Sequence, residues 1–158
     1  MSTIDWLTGA QIEHYIKCNA DEDTKRLYAG VFCSNTLPHR IDNYPLLLIV
    51  NSDSSNLAGK HWRAVYIAEN LHGEVFDPLG VPINLQLERW MNTFCTKWTR
   101  TQKFIQHPLS PSCGAFVLHF VLNRFHVDTL HNYMLSNYDD NLSQNVTRIK
   151  NYVHTLRK

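Results

Sequence analysis

The stretch after Cys113, "GAFVLHFVLNRF", constrains this chain more than any other. Among residues 114–125 only His119, Asn123 and Arg124 are polar. Its length suits a helix, and a helix that is apolar nearly all round has no face to offer water. Other elements must therefore enclose it. The 158 residues suffice for one domain around a single core. At 44% hydrophobic and 18% charged, with six Gly and six Pro, the composition is globular and not that of a disordered chain. The formal charge of +1 offers no strong field toward nucleic acid or a membrane surface. No apolar run approaches a membrane span, and "MSTIDWLTGAQ" lacks the basic and apolar regions of a signal peptide. The expectation is an intracellular, non-secreted protein without membrane contact.

Periodicity supplies the enclosing elements. Thr8 to Cys18 reads as an amphipathic helix with Ile12, Tyr15 and Ile16 on one face. "NADEDTK" reads as a surface loop and "LYAGVFCSNTLP" as an ordered irregular segment. Leu46 to Asn51 is a short branched apolar run, a buried strand. "SDSSNLAGK" is turn-forming. "HWRAVYIAE" alternates, with Trp62, Ala64 and Tyr66 on one face and His61, Arg63, Val65 and Ile67 on the other. A turn at "NLHG" leads to a strand in "EVFDPLG". "INLQLERWMNTFC" has helical spacing, "TQKFIQ" reads as a strand, and His126 to Ser136 as a short helix. Asn141 is an N-cap, with Gln144 three residues on and an apolar stripe of Leu142, Val146, Ile149, Val153 and Leu156. The fold class is α+β: one domain over residues 1–158, with a central mixed or antiparallel sheet flanked by helices. The buried helix carries Cys113 at its N-terminus.

Cys18, Cys33, Cys95 and Cys113 form no C-x-x-C pair, and no ligand cluster signals a metal. Without a secretory signal the thiols are expected free, and the sequons at Asn141 and Asn145 carry no weight. A cysteine beside an apolar run is by default an inert core residue. Cys113, however, follows a Pro/Ser turn and opens a helix, where backbone N–H groups favour a thiolate. A nucleophilic thiol also needs a base. Of nine histidines, His119 lies inside the apolar helix and reads as a core residue. His61 opens a strand, and Asp77 closes the next one. Across a hairpin the two can meet, and the carboxylate can then orient the imidazole. An incidental polar pair at a strand edge is the plain alternative. Gln106, seven residues before Cys113, could supply an oxyanion donor beside the Cys113 amide. Alone, it is an unremarkable polar residue.

Together, His61-Trp62, "FDPLG", Gln106 and Cys113-Gly114 resemble cysteine proteases of the adenovirus-proteinase (adenain) type, whose clan includes the ubiquitin-like-protein proteases. The resemblance covers roughly Leu46 to Arg124 and fits a small relative from another DNA virus or a Maverick/Polinton-like element. Asp77 stands where adenoviral enzymes often have Glu, and either acid can orient a histidine. The resemblance implies Cys113 as nucleophile, His61 as general base and acid, Asp77 as its orienting group, and Gln106 with the Cys113 amide as oxyanion hole. Trp62 and Gly114 would belong to the substrate cleft, Trp62 having core filling as its alternative. The implied activity is cleavage of capsid and core precursors at small residues such as Gly during virion maturation, by a monomer located in the host nucleus and virion. Deconjugation of ubiquitin-like modifiers, acyl transfer and a non-catalytic binding module are the rival readings. No cofactor is required for the chemistry. The resemblance further implies an activating peptide, linked through a cysteine that Cys95 matches in spacing, and activation by DNA. "TKWTRTQK" gathers Lys97, Arg100 and Lys103 around Trp98 for phosphate contact. For both features an ordinary core thiol and a solvated charged face are the simpler readings.

Overall fold

The computed structural model describes residues 6–51, 61–108 and 110–158. In chain order the elements are α1 (Gly9–Asn19), α2 (Glu22–Leu27), β1 (Tyr28–Cys33), β2 (Leu46–Asn51), β3 (Trp62–Ile67), β4 (His72–Phe76), α3 (Leu85–Phe94), β5 (Lys97–Arg100), α4 (Cys113–Asn123), α5 (Leu130–Asn137) and α6 (Leu142–His154). The strands form one sheet in order β1-β2-β3-β4-β5. The two outer pairs are parallel and the two inner ones antiparallel, so the sheet is mixed.

The sheet separates two apolar layers. On one side Leu47, Ile49, Ala64, Tyr66 and Phe76 pack with Ile12 and Ile16 of α1, Tyr133 of α5, Ile149 and Val153 of α6, and almost the whole of α4. On the other, Leu46, Leu48, Val50, Val65, Ile67 and Val75 meet Leu87, Trp90 and Met91 of α3. All six residues of β2 are buried, which is why its first five are apolar without alternation. Residues 113–121 of α4 are buried without a break, as a helix lacking a polar face requires. His119 is the core histidine expected: its Nδ1 bonds Tyr133 Oη at 2.7 Å, and burial pushes its pKa down to about 4.

Four expectations are corrected. "NADEDTK" is not a loop but supplies α2: Asp21 caps it by accepting from Thr24 N at 2.8 Å, with acids in the first turn and Lys25 and Arg26 in the last. The segment read as irregular contains β1, whose register slips between Tyr28 and Val31 beside Gly30 at φ +131°. This bulge hides a strand behind turn-like residues. The strand placed at "TQKFIQ" lies upstream at Lys97–Arg100. Beyond it the amides of Ile105 and Gln106 turn to Pro78 O, at 2.8 and 3.2 Å, and not to a neighbouring strand. The helix expected at His126 begins at Leu130, capped by Thr129 and preceded by a 3-10 turn at Arg124–His126. The turn-forming stretch 52–60 lies outside the described residues.

Candidate active site

Local structure explains where the side chains of the candidate set stand. Ala64 of β3 pairs with Phe76 of β4, so one step on Arg63 faces Asp77, and His61 sits diagonally beyond it. The "DPLG" stretch forms a β-turn closed by Gly80 N to Asp77 O at 3.0 Å, while Asp77 Oδ1 accepts from Leu79 N at 2.8 Å. Gly80 has φ +61°, and a Cβ there would stand 2.7 Å from Gln102 O. Thr101 grips the same turn from β5's end: its Oγ1 accepts from Asp77 N at 2.7 Å and donates to Asp77 O at 3.0 Å. Pro78 O in turn receives the amides of Ile105 and Gln106. One turn thus anchors both Asp77 and the segment bearing Gln106.

Asp77 is 1% exposed. Its Oδ1 accepts from His61 Nε2 at 2.7 Å and its Oδ2 from Arg63 Nε at 3.0 Å. Burial works to raise the Asp77 pKa. The hydrogen bond and charge of His61, the Arg63 charge and the Leu79 amide outweigh it and leave the carboxyl below its ordinary value. An ionised carboxylate only accepts, so Nε2 carries a proton and Nδ1 is the ring nitrogen left for the thiol. His61 also hydrogen-bonds the Cys113 side chain. Burial favours the neutral ring, but the bonds to Asp77 and Cys113 and the Asp77 charge prevail and raise the His61 pKa from 6.5 to about 9.

Cys113 is buried at the first position of α4, after Ser112. A cleft of about 310 Å³ leads to it, lined by Trp6, Leu7, Thr8, Gly9, Trp62 and Pro111. The N-terminal segment is held in place by Trp6 N donating to Pro111 O at 3.1 Å and Trp62 Nε1 donating to Leu7 O at 3.1 Å. Gly114 packs against two of these lining residues: a Cβ there would meet Leu7 Cβ at 3.1 Å and Trp62 Cδ1 at 3.4 Å. Gln106 is 1% exposed, and its Nε2 donates to Ser110 O at 2.5 Å.

The remaining sequence candidates lie elsewhere. Cys95 ends α3 with its sulfur against Gly73, and burial pushes its thiol up to about 11. The basic cluster is divided. Arg100 Nη1 donates to Gly80 O at 3.1 Å, Lys103 pairs with Asp140 at 2.6 Å, and Lys97 points to the opposite face of β5 from Arg100. No group of three or more metal-ligating side chains occurs among the described residues, and no helix among them is long and apolar enough to cross a membrane. Sequence reasoning missed Arg63, Thr101, the N-terminal wall and Asn145. Only Arg63 carried a signal, as a charged residue sharing a strand face with Val65 and Ile67.

No protein-family model and no curated protein matches this sequence. Among solved structures it is similar to the ASFV pS273R protease, at 19% identity and a TM-score of 0.49, over 66% of this chain and 43% of that one. It is also similar to the central domain of the Lpg1148 protein from Legionella pneumophila, at 16% identity and a TM-score of 0.39, over 85% and 89% of the two chains. The chain thus spans under half the length of the first. The functional reading therefore rests on the side chains.

Proposed function

We propose that this chain is a cysteine endopeptidase. The observation that carries the reading is His61, bonded to Asp77 at 2.7 Å on one side and to the Cys113 side chain on the other. Three groups remote in sequence, one just before β3, one just after β4 and one at the start of α4, are thus linked side chain to side chain.

His61 Nδ1 takes the thiol proton and the sulfur attacks the scissile carbonyl carbon. The resulting oxyanion is met by the Cys113 amide at the positive end of α4 and by the second N–H of Gln106 Nε2. His61 then donates its proton to the leaving amine, the C–N bond breaks and a thioester remains. Water, deprotonated by His61, hydrolyses the thioester and restores the thiol. Asp77 holds Nε2–H throughout and stabilises the imidazolium.

Two bulky aromatic walls of the cleft, Trp6 and Trp62, favour small residues such as Gly at the cut. We assign precursors of viral capsid and core proteins as the substrate class. The test compares wild type with Cys113→Ala on a Gly-containing capsid-precursor peptide, a ubiquitin-like conjugate and an acyl-CoA with an amine acceptor. Cleavage of the peptide by wild type alone is expected. Turnover of the conjugate or the acyl-CoA in its place would reassign the substrate, and equal cleavage by Cys113→Ala would remove the mechanism. A rate unchanged by added DNA or by a cysteine-bearing peptide would remove the two activators.

A further inference from the structure

The buried end of β3 holds a charged group that the mechanism above does not use. Arg63 is 4% exposed and lies directly across from Asp77. Its Nε donates to Asp77 Oδ2 at 3.0 Å and its Nη2 to Pro82 O at 3.2 Å. The guanidinium plane is therefore fixed at two points, one of them backbone. Asp77 Oδ1, the oxygen facing His61, also accepts from Leu79 N at 2.8 Å. The two carboxylate oxygens are thus held separately, one toward the strand cation and one toward the ring.

We propose that Arg63 is a positioning residue: it clamps Oδ2 of Asp77 so that Oδ1 stays aimed at His61, and it balances the carboxylate whether or not the imidazole is charged. The inference rests on reading His61, Asp77 and Cys113 as one catalytic unit. Its physical basis is the charge count of the buried cluster. With thiol and neutral imidazole, Asp77 and Arg63 cancel. With thiolate and imidazolium, four charges alternate along Cys113, His61, Asp77 and Arg63, and again cancel. Proton transfer from sulfur to ring therefore never leaves an unpaired buried charge, whose cost would be several kcal/mol. Without Arg63, the neutral-ring state would bury a lone carboxylate, which would draw a proton onto the imidazole and hold it there. A base that must release its proton to a leaving amine in every cycle is hindered by such retention. Among the described residues, Asp77, Cys113 and Arg63 are the charged or titratable groups that act on the ring, and of these Arg63 opposes the imidazolium. Lysine at this position would keep the charge but lose the fork that holds Oδ2 and Pro82 together.

The full-length chain tests this with Arg63→Gln and Arg63→Lys, reading the His61 ring by NMR and peptide turnover by kcat and KM. In Arg63→Gln the His61 titration should move upward by at least about half a pH unit, and kcat should fall about tenfold or more at little changed KM. In Arg63→Lys the titration should stay near wild type. The downfield Nε2–H resonance should broaden or move upfield, and kcat should drop by a smaller factor. A folded Arg63→Gln protein with the His61 titration and kcat of wild type overturns the inference. If Arg63→Gln does not fold, Arg63→Lys decides: an Nε2–H resonance identical to wild type overturns it, and a displaced one sustains it. The ring measurements need no substrate. Failure of the wild type to cleave peptides would thus count against the proposed function alone, and an unresponsive ring against the role of Arg63 alone.

Discussion

Asp77 combines full burial with contacts to two cationic side chains, so its replacement touches chemistry and stability together. Asp77→Asn keeps the shape but removes the charge that stabilises the imidazolium. Activity should fall about 10²–10⁴-fold, measured as kcat on the cleaved peptide with the fold checked by circular dichroism. Gln106→Ala should cost about 10²–10³ in kcat with KM nearly constant, as loss of one oxyanion donor does. The His61 pKa rises on folding from 6.5 to about 9. Its ring therefore contributes stability in full below pH 6.5, and this contribution is lost as pH rises through 9. The lost amount is about 3 kcal/mol. Urea unfolding at pH 6 and pH 9.5 should show that slope in wild type and not in His61→Gln. At this scale the candidate set was legible because nucleophile, base and acid have few side-chain solutions. Thr101 was not, because a threonine hydroxyl gripping another turn's backbone leaves no trace in its own neighbourhood.

The decisive elements are the turn after β4 and the start of α6. Gly80→Ala would place a Cβ 2.7 Å from Gln102 O on a residue at φ +61°. Destabilisation of about 1–3 kcal/mol is expected, with loss of activity as the Gln106 segment shifts, readable as a lowered Tm and kcat. Asn145 is wholly buried, donating to Ile105 O at 3.1 Å and Asp139 O at 2.8 Å while accepting from Asp139 N at 3.1 Å. Asn145→Ala leaves those groups unmet and should cost about 1–3 kcal/mol in a denaturation curve. The same burial closes Asn145 to glycosylation. α1, β2, β3, α4 and α6 were legible because their apolar spacing matches the side they bury. α2 and β1 were not, since α2 depends on its Asp21 cap and β1 is interrupted by a register shift, and neither shows a clean periodicity.

Over the whole molecule, the core around α4 encloses an ionisable group as well as the apolar side chains. His119 has its pKa pushed from 6.5 down to about 4, and its partners are Tyr133 and, through it, Tyr138. The unfolded chain binds a proton there at a pH where the folded one does not. Stability is therefore full above pH 6.5 and declines toward pH 4, by about 3 kcal/mol from this residue. His119→Phe should flatten that acid limb, measured by urea midpoints at pH 7.5 and 4.5. The opposite slopes of His119 and His61 should confine maximal stability to a window near neutrality.

The sequence by itself determined the α+β class, the enclosed helix with a thiol at its start, and the hairpin that brings His61 to Asp77. Each follows from local periodicity, a turn signal or a strand register, which neighbours along the chain suffice to specify. Only the tertiary structure decided that Trp6 to Gly9 wall the cleft, that Thr101 and Pro78 tie the carboxylate turn to the Gln106 segment, and that Arg63 spends its charge on Asp77. Those contacts join residues up to about a hundred positions apart, and a backbone carbonyl accepts from any amide that the packing brings to it.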